Sequence, residues 1–362
     1  MNREQKAALW LAMHEYIGAV RANRLRELAG SYEDIRKLPI DIIREEEILK
    51  PKELALWEAC TITDSMTDRM EERLDKLGIR LVIPEDPDYP KRLKSLRDSP
   101  AWLFARGSLP SDEIPSAAIV GARSCTDYGR EQAEFIGRLL ARYGIQVISG
   151  LAEGVDAAAH QGVLSERGFA FAVLGNGLNV CYPQSSRNLF MEIPVRGGLI
   201  SEHLPDVRPL HWHFPARNRI ISGLSDLVIV IEAKKRSGSL ITADLALEQG
   251  RDVFALPGRW NDPLSEGCNR LIRVGAGIVT NPTDILDYFH MKLQNGVRDE
   301  SSGAHLAKKE KMVYSAIDSY PRHADDIMER AGLPSAECME ILAGLEIRGL
   351  IRQSENQYYV RK

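Results

Sequence analysis

Short apolar runs recur through the middle of the chain, and each is followed by a longer stretch with apolar positions at helical spacing. Strands that are apolar throughout are buried on both faces, and their alternation with helices is typical of a parallel sheet covered by helices. The pattern therefore predicts an α/β domain built on a doubly wound parallel sheet. We predict its strands at residues 117–120, 146–148, 169–174, 199–200, 227–231, 253–255 and 278–279.

Helical spacing dominates the region before this domain. Residues 6–29 carry apolar positions at helical intervals, and residues 32–77 form a group of short helices punctuated by glycine and proline. Two short strands at 81–83 and 102–105, on either side of a helix at 91–96, then lead into the sheet. We predict a small helical domain at residues 1–78, similar to SAM or helix-hairpin-helix units.

The pattern changes again after the sheet. Residues 291–307 are polar and rich in glycine and serine, which predicts a linker. Three helical stretches follow, and then two short strands that would form a wing. The sequence thus predicts four segments, with a winged helix at the end: 1–78 helical domain, 79–290 α/β domain, 291–307 linker and 308–362 winged helix.

Composition narrows the possible partners. The 47 basic and 51 acidic residues give a formal charge of -4, so a polyanion would need a local basic patch. The five cysteines are scattered and lack Cys-x-x-Cys spacing, which argues against disulfides and zinc and fits a reducing cytoplasm. No apolar run approaches the ~18 residues of a membrane span, and no targeting segment is evident.

Candidate chemistry lies where the predicted strands end. The first strand runs into Gly121 and Arg123, and Ser124, Thr126 and Asp127 could cap a helix that begins near Tyr128. Carboxyl ends of parallel strands meet at one edge, where such sheets bind ligands. We therefore predict that this helix N-terminus, with Arg123 and Ser124, seats a phosphate group. The alternative is a surface arginine in an ordinary loop.

The same edge lacks the motifs of nucleotide enzymes. A Gly-x-Gly-x-x-Gly dinucleotide motif with a carboxylate after the second strand is absent, as is the triphosphatase motif Gly-x-x-x-x-Gly-Lys-Ser/Thr. Basic residues and a helix start stand there instead, as a chain of phosphates requires. The alternative is a solvated basic loop. The predicted phosphate contacts beyond Arg123 and Ser124 are Arg217, Arg219, Lys234, Lys235, Arg236, Ser237, Gly238 and Ser239.

Two further constellations admit chemical interpretations that we consider weaker. His211 and His213 could share a metal ion, but no third ligand is close in sequence. Asp156 and His160 lie four residues apart on one helix face and could exchange a proton, although capping and packing roles are more common for such pairs. We therefore predict no metal, no cofactor and no catalytic residue.

Seven motifs stand in order between residues 79 and 286, and together they resemble the DNA-processing protein A (DprA, or Smf) family. The resemblance implies a Rossmann-like domain that binds single-stranded DNA, protects it and loads the RecA recombinase during natural transformation. It also implies a homodimer without catalytic chemistry. The motifs are Gly-Ala-Arg-Ser…Thr-x-Tyr-Gly from 121, Ser-Gly-Leu-Ala-x-Gly-Val-Asp-x-x-Ala-His from 149, Gly-x-Gly…Tyr-Pro from 175, Phe-Pro-x-Arg-Asn-Arg-Ile-Ile-Ser-Gly-Leu-Ser from 214, Ser-Gly-Ser-Leu-x-Thr-Ala from 237, Gly-Arg-x-Val-x-Ala-x-Pro-Gly from 250 and Gly-x-Asn-x-Leu-Ile from 267.

The resemblance places the family's DNA-contacting arginine on Arg123, and its basic position before Ser-Gly-Ser within Lys234 to Arg236. Which of those three side chains contacts DNA stays open. Where the family often has Gly-Ser-Arg this chain has Gly-Ala-Arg, which leaves the arginine intact. The N-terminal helices match the family only loosely.

An enzymatic alternative remains, because similar sheets also occur in phosphoribohydrolases. Those enzymes carry Pro-Gly-Gly-x-Gly-Thr, whereas this chain has Pro-Gly-Arg-Trp from residue 257. We therefore favour DNA binding. For the winged helix, the predicted third helix carries Glu337, Glu340 and Glu346, whose charge disfavours contact with phosphates and favours self-association or partner binding.

Overall fold

The chain folds into two units, Met1–Met291 and Lys292–Lys362. Most of the predicted linker lies outside the described residues, so its bounds stay a prediction. Among the described helices, none is both long enough and apolar enough to cross a lipid bilayer. The computed structural model describes residues 1–292, 306–318, 321–354 and 357–361.

Six helices precede the first strand, as the apolar spacing predicted. Gly30 ends the second helix with a φ of 84°, a left-handed conformation that glycine adopts without a Cβ clash. Leu9 and Leu25 of these helices belong to the same buried core as Ile119 and Val147 of the sheet. The domain boundary at residue 78 stays a prediction, because helices and sheet share this core. The helices are α1 (Arg3–Ala12), α2 (Ala19–Ala29), α3 (Tyr32–Ile35), α4 (Ile40–Glu45), α5 (Pro51–Glu58) and α6 (Asp64–Lys76).

The predicted sheet is confirmed, and its seven parallel strands each lie within one residue of their predicted ends. Two antiparallel strands extend it at one edge, joined by the short helix α7 (Lys91–Lys94). The strands in chain order are β1 (Arg80–Val82), β2 (Leu103–Gly107), β3 (Ser116–Val120), β4 (Gln146–Ser149), β5 (Ala170–Val173), β6 (Gly198–Ser201), β7 (Leu227–Val230), β8 (Asp252–Ala255) and β9 (Gly277–Ile278).

Helices cover both faces of this sheet. Those that connect β3 to β6 pack on one face, in the core that also holds the N-terminal helices, and those around β7 and β8 pack on the other. A 3-10 turn, Gln184–Ser186, precedes α10. The helices are α8 (Asp127–Arg142), α9 (Val155–Ser165), α10 (Arg187–Arg196), α11 (His213–Gly223), α12 (Gly238–Glu248), α13 (Glu266–Arg273) and α14 (Pro282–Tyr288).

The strand order creates a switch point beside β3. In the described part of the larger unit the order is β1-β2-β6-β5-β4-β3-β7-β8-β9. The chain moves outward from β3 through β4 and β5 to β6, then returns and pairs β7 with the other side of β3. Connections on the two sides therefore diverge at the carboxyl ends of β3 and β7, which leaves a crevice where such sheets bind ligands.

The smaller unit is the predicted winged helix. Ile327, Leu342 and Tyr359 lie in its buried core. The structure adds a third strand, β10, which the sequence analysis missed because it has only two residues. The elements are α15 (Lys308–Ser315), β10 (Arg322–His323), α16 (Ala324–Ala331), α17 (Ser335–Ile347), β11 (Ile351–Ser354) and β12 (Tyr358–Arg361), and the sheet order is β10-β12-β11.

Candidate nucleic-acid interface

A pocket of about 380 Å³ opens at the carboxyl ends of β3 and β7. The loop after β3, the start of α11 and the start of α12 form most of its wall. It brings together residues that are more than a hundred positions apart in the chain, as expected at a switch point. Six of the predicted contacts line it: Arg123, Arg217, Arg236, Ser237, Gly238 and Ser239.

Arg123 stands at the pocket mouth, in the loop that follows β3. The side chain is exposed, and within the described residues no carboxylate lies within ion-pair distance of it. Its guanidinium carbon lies 5.3 Å from the centre of the Phe214 ring. The loop passes so close to Gly154 that a Cβ there would stand 2.3 Å from the Arg123 carbonyl oxygen, and Gly154 has a φ of 75°. The backbone is thus fixed while the guanidinium stays available to a ligand.

The N-terminus of α8 does not provide the phosphate seat that we predicted from the sequence. The buried Glu232 carboxylate, which follows β7, accepts hydrogen bonds from Thr126 N at 2.8 Å and from Thr126 Oγ1 at 2.5 Å. Thr126 also caps the helix by accepting from Gly129 N. An acidic side chain of the protein therefore already takes the anion position, which corrects that prediction. Ser124 is exposed beside this turn, outside the pocket lining.

The N-terminus of α12, in contrast, lines the pocket. Ser237 caps the helix, and its Oγ accepts from Ser239 N at 3.4 Å and lies 2.7 Å from Ser239 Oγ. The first-turn N–H groups of an 11-residue helix carry a partial positive charge and favour an anion. Asp156 is the acidic residue in the pocket wall, and its Oδ2 already accepts from Gly150 N and Ala152 N.

Arg217 forms the pocket floor. Only 6% of the residue is exposed, and its Nη1 donates to the Gly150 carbonyl at 2.9 Å. A Cβ on Gly150 would stand 2.5 Å from Nη2, so glycine is required there for the guanidinium to fit. Burial lowers the pKa of Arg217 to about 10, against the opposing effect of Asp156, and the group still carries its charge at neutral pH. Its Nε has no hydrogen-bond partner within the described residues.

Arg219, two residues further along α11, points elsewhere. Its Nη1 and Nη2 donate to the two carboxylate oxygens of Glu202 at 2.7 and 2.6 Å, and its Nε donates to the Asp98 carbonyl at 3.0 Å. Burial opposes the charged form, but the Glu202 carboxylate outweighs it, so the pKa of Arg219 is raised. The structure therefore removes Arg219 from the predicted phosphate contacts, because its donors are engaged inside the protein.

The basic run after β7 lines a second hollow of about 450 Å³, which we call the lysine hollow. Lys234 and Lys235 are exposed, and Lys235 Nζ lies 3.7 Å from a Glu266 carboxylate oxygen. Arg236 lines both the lysine hollow and the pocket. Arg236 is therefore the member of the run that lines the same pocket as Arg123, while the choice of the side chain that contacts DNA stays a prediction.

Aromatic side chains beside the pocket are features that the sequence analysis did not assign to the site. The Tyr182 and Phe214 rings lie 5.7 Å apart, and Trp212 is 66% exposed. Tyr182 lies in the loop that follows β5, Trp212 caps α11 and Phe214 lies in its first turn, so their placement together depends on how these segments pack. The Trp-x-Phe spacing ahead of Arg217 is the one signal in the sequence that could have suggested it.

The two weaker candidate pairs, His211 with His213 and Asp156 with His160, do not form reactive centres in the described part of the chain. His213 Nδ1 lies 3.0 Å from the Gly175 carbonyl and its ring stacks on His203 at 4.0 Å, and the described residues contain no cluster of ligands for a metal ion. His160 is fully buried, and neither ring nitrogen has a partner in the described part of the chain. Burial lowers the pKa of His160 to about 3, so it is neutral, and Asp156 bonds backbone N–H groups instead.

Comparison with known families gives two matches that together span most of the chain. Residues 80–290 match the model of DNA recombination-mediator protein A, and residues 298–357 match the DprA winged helix domain. The first match contains every residue that lines the pocket and the lysine hollow.

Individual proteins give the same result. Protein Smf of Escherichia coli (strain K12) is 40% identical over 279 residues, which cover 75% of this chain and 74% of that protein. DNA processing protein DprA of Streptococcus pneumoniae is 46% identical over 204 residues, covering 56% and 72%. An X-ray structure of DprA from that species covers 80% of this chain and 99% of its own, with a TM-score of 0.69 and 34% identity.

A second solved structure adds a ligand class for a similar protein. It is DNA processing protein A from Helicobacter pylori, 30% identical, with a TM-score of 0.52 over 58% of this chain and 96% of its own. That structure concerns the single-stranded DNA binding mode of the Helicobacter pylori protein.

Proposed function

Because this chain belongs to the DNA recombination-mediator protein A family, we propose that it binds single-stranded DNA, protects it and loads the RecA recombinase onto it during natural transformation. The observation that carries the proposal is the pocket at the switch point. Arg123, Arg217 and Arg236 converge there on the N-terminus of α12. Three cations and a helix N-terminus form a site for phosphate, and the single-strand binding of the Helicobacter pylori relative supports DNA as its source.

The surroundings of the pocket suit a single strand better than a duplex. Successive phosphates can pass from the pocket to the lysine hollow, because Arg236 lines both. Tyr182 and Trp212, which are 40% and 66% exposed, offer ring faces for unpaired bases, and stacking of this kind contributes ~1–3 kcal/mol per base. Paired bases are already stacked inside a duplex and cannot use these faces. We include Ser124, the exposed residue that follows Arg123 in the chain, among the proposed contacts.

The direct test measures affinity for matched single-stranded and double-stranded oligonucleotides across a series of salt concentrations. We expect tighter binding of the single strand, with log affinity falling linearly by roughly 0.7 per phosphate contact against log salt. RecA filament assembly on single strands, with and without the protein, tests the loading role. Equal affinity for both DNA forms would contradict preferential binding of single-stranded DNA, which is the first step of the proposed function.

We also propose that binding is the whole chemistry of the site and that the protein is not an enzyme. Hydrolysis of the bond between a base and its ribose needs a carboxylate that can reach the reacting atoms, and the acid in this pocket, Asp156, is bonded to backbone N–H groups. Burial raises the pKa of Asp156. Purified protein should therefore not turn over ATP or nucleoside monophosphates. Turnover that disappears in an Arg123→Ala variant would instead support the enzymatic alternative.

We further propose that the protein acts as a homodimer in the cytoplasm. All five cysteines fall within the described residues and are unpaired, which suits a reducing compartment. Dimerisation rests on the family resemblance, and sedimentation of the purified protein would test it.

Removal of the winged helix should leave most of the single-strand affinity. The pocket and the lysine hollow are built wholly from residues of the larger unit. In the winged helix, residues 305–362 hold nine basic and nine acidic side chains, and Glu337 pairs with Lys309 while Glu346 accepts from Gln353 N. We expect a chain ending at Gln294 to bind single-stranded DNA within about tenfold of the full protein, or ~1.4 kcal/mol. A larger loss in a truncated chain that still dimerises would make the winged helix a DNA-binding module.

A further inference from the structure

The N-terminal helices hold a cysteine against a histidine. Cys60 lies between α5 and α6, and it is exposed. Its Sγ lies 3.4 Å from Nε2 of His14, a residue that is 4% exposed and follows α1. A thiol open to solvent on one side and in contact with an imidazole on the other is the arrangement found in reactive cysteines.

The hydrogen bonds of His14 show which atom donates the proton in its contact with Cys60. Its Nδ1 lies 3.0 Å from the Trp10 carbonyl oxygen. A carbonyl oxygen can only accept, so Nδ1 carries the ring proton and Nε2 presents a lone pair. The thiol of Cys60 is therefore the donor, and its hydrogen points at a nitrogen that can accept the proton.

The imidazole is held in place by aromatic rings. The Trp10, Trp57 and Tyr16 ring centres lie 4.5, 5.3 and 5.7 Å from that of His14. Burial lowers the pKa of His14 despite its hydrogen bond to the Trp10 carbonyl, so the ring is neutral at neutral pH. A neutral, fixed imidazole can act as a proton acceptor without first losing a proton.

The other four cysteines lack this combination. Cys125 and Cys181 are half-buried, Cys268 and Cys338 are buried, and burial raises the pKa of each of these thiols. The thiols of Cys181 and Cys268 donate to backbone carbonyl oxygens, which cannot take up a proton. The chain therefore carries its own internal controls for thiol reactivity.

We propose that Cys60 is a site of thiol–disulfide exchange with low-molecular-weight disulfides such as glutathione disulfide, and that His14 is its general base. The S–H bond breaks as its proton moves to His14 Nε2, and the Cys60 sulfur attacks one sulfur of the disulfide. A new S–S bond forms, and the second sulfur leaves as a thiolate that takes the proton from the imidazolium. Cys60 is oxidised to a mixed disulfide, and one half of the reagent is reduced to a thiol.

The test treats the folded, full-length protein with less than one equivalent of glutathione disulfide and locates the modified cysteines by peptide mass spectrometry. We expect Cys60 to react at least about tenfold faster than Cys125 or Cys181. The same measurement on the urea-unfolded chain should slow Cys60 and speed the buried thiols. A Cys60 that reacts no faster in the folded protein than in the unfolded chain would overturn the proposal.

His14→Gln separates activation from simple exposure. We expect this variant to lower the Cys60 rate by about tenfold or more while the Cys125 rate stays unchanged, because glutamine cannot accept the thiol proton. An unchanged Cys60 rate in a folded variant contradicts the role of His14. If the variant does not fold, as its tryptophan fluorescence would reveal, the comparison of folded and unfolded wild-type protein decides the question.

Discussion

Replacing Arg123 with alanine is expected to weaken binding of single-stranded DNA by about 10- to 100-fold, or ~1.5–3 kcal/mol. The guanidinium is exposed at the pocket mouth and has no ion-pair partner within the described residues, so its donors are available to a phosphate group. The slope of log affinity against log salt should fall by roughly 0.7, the value for one lost phosphate contact on a single strand. Fluorescence anisotropy of a labelled oligonucleotide across a salt series measures both quantities.

The matched control is Arg196→Ala, which removes the same charge at the end of α10. That residue is exposed and stands just before β6 begins, so it lies at the opposite edge of the sheet. We expect an unchanged slope and nearly unchanged affinity. Neutralising Lys234 and Lys235 together should act in the same direction as Arg123→Ala. Equal effects of Arg123→Ala and Arg196→Ala would show that only net charge matters and would remove the pocket assignment.

Arg219→Ala is expected to destabilise the larger unit by ~3–5 kcal/mol, although the residue lies only two positions from the pocket floor. The substitution leaves the Glu202 carboxylate without the two hydrogen bonds that it accepts from Arg219, and it also removes the contact with Asp98. Because Arg219 is 7% exposed, water cannot easily replace the lost donors. All five tryptophans lie in the larger unit, so the urea midpoint from tryptophan fluorescence reports its unfolding alone.

An exposed ion pair provides the comparison. Arg73 and Asp206 are joined at 2.6 Å, but about half of each side chain is exposed. Arg73→Ala should therefore change stability by at most about 1 kcal/mol. If Arg219→Ala lowers stability no more than Arg73→Ala does, the ion pair between Arg219 and Glu202 is not required for the stability of the larger unit. It would also return Arg219 to the candidates for DNA contact.

The sheet was predictable from the sequence because its signal is local. A strand such as Leu227–Val230 is apolar throughout, and only burial on both faces accommodates that pattern. The same holds for the helical spacing of the N-terminal region and for the winged helix, except for the two-residue strand Arg322–His323. So short a strand leaves no periodicity and forms only because β12 lies beside it.

The site was predictable only in part. Glycine and basic residues after strand ends pointed to the edge at which the pocket opens, because the carboxyl ends of parallel strands share one edge whatever the details of packing. Sequence spacing could not say which of Arg217 and Arg219 faces the pocket. Side chains two residues apart on a helix point about 200° away from each other around its axis, so those of Arg217 and Arg219 diverge. One meets the Gly150 carbonyl and the other meets Glu202.

The sequence by itself thus determined the layers of the fold, the edge at which the pocket opens and the family resemblance, since each depends on residues close together in the chain. The tertiary structure alone decided which of two helix N-termini is open to a ligand. Glu232, which follows a strand more than a hundred residues away in the chain, accepts hydrogen bonds from the N–H and hydroxyl of Thr126 at the cap of α8, whereas the start of α12 lines the pocket with Arg123 and Arg217. This difference between the two helix termini rests on long-range hydrogen bonds from Thr126 to Glu232, which no local sequence pattern can predict.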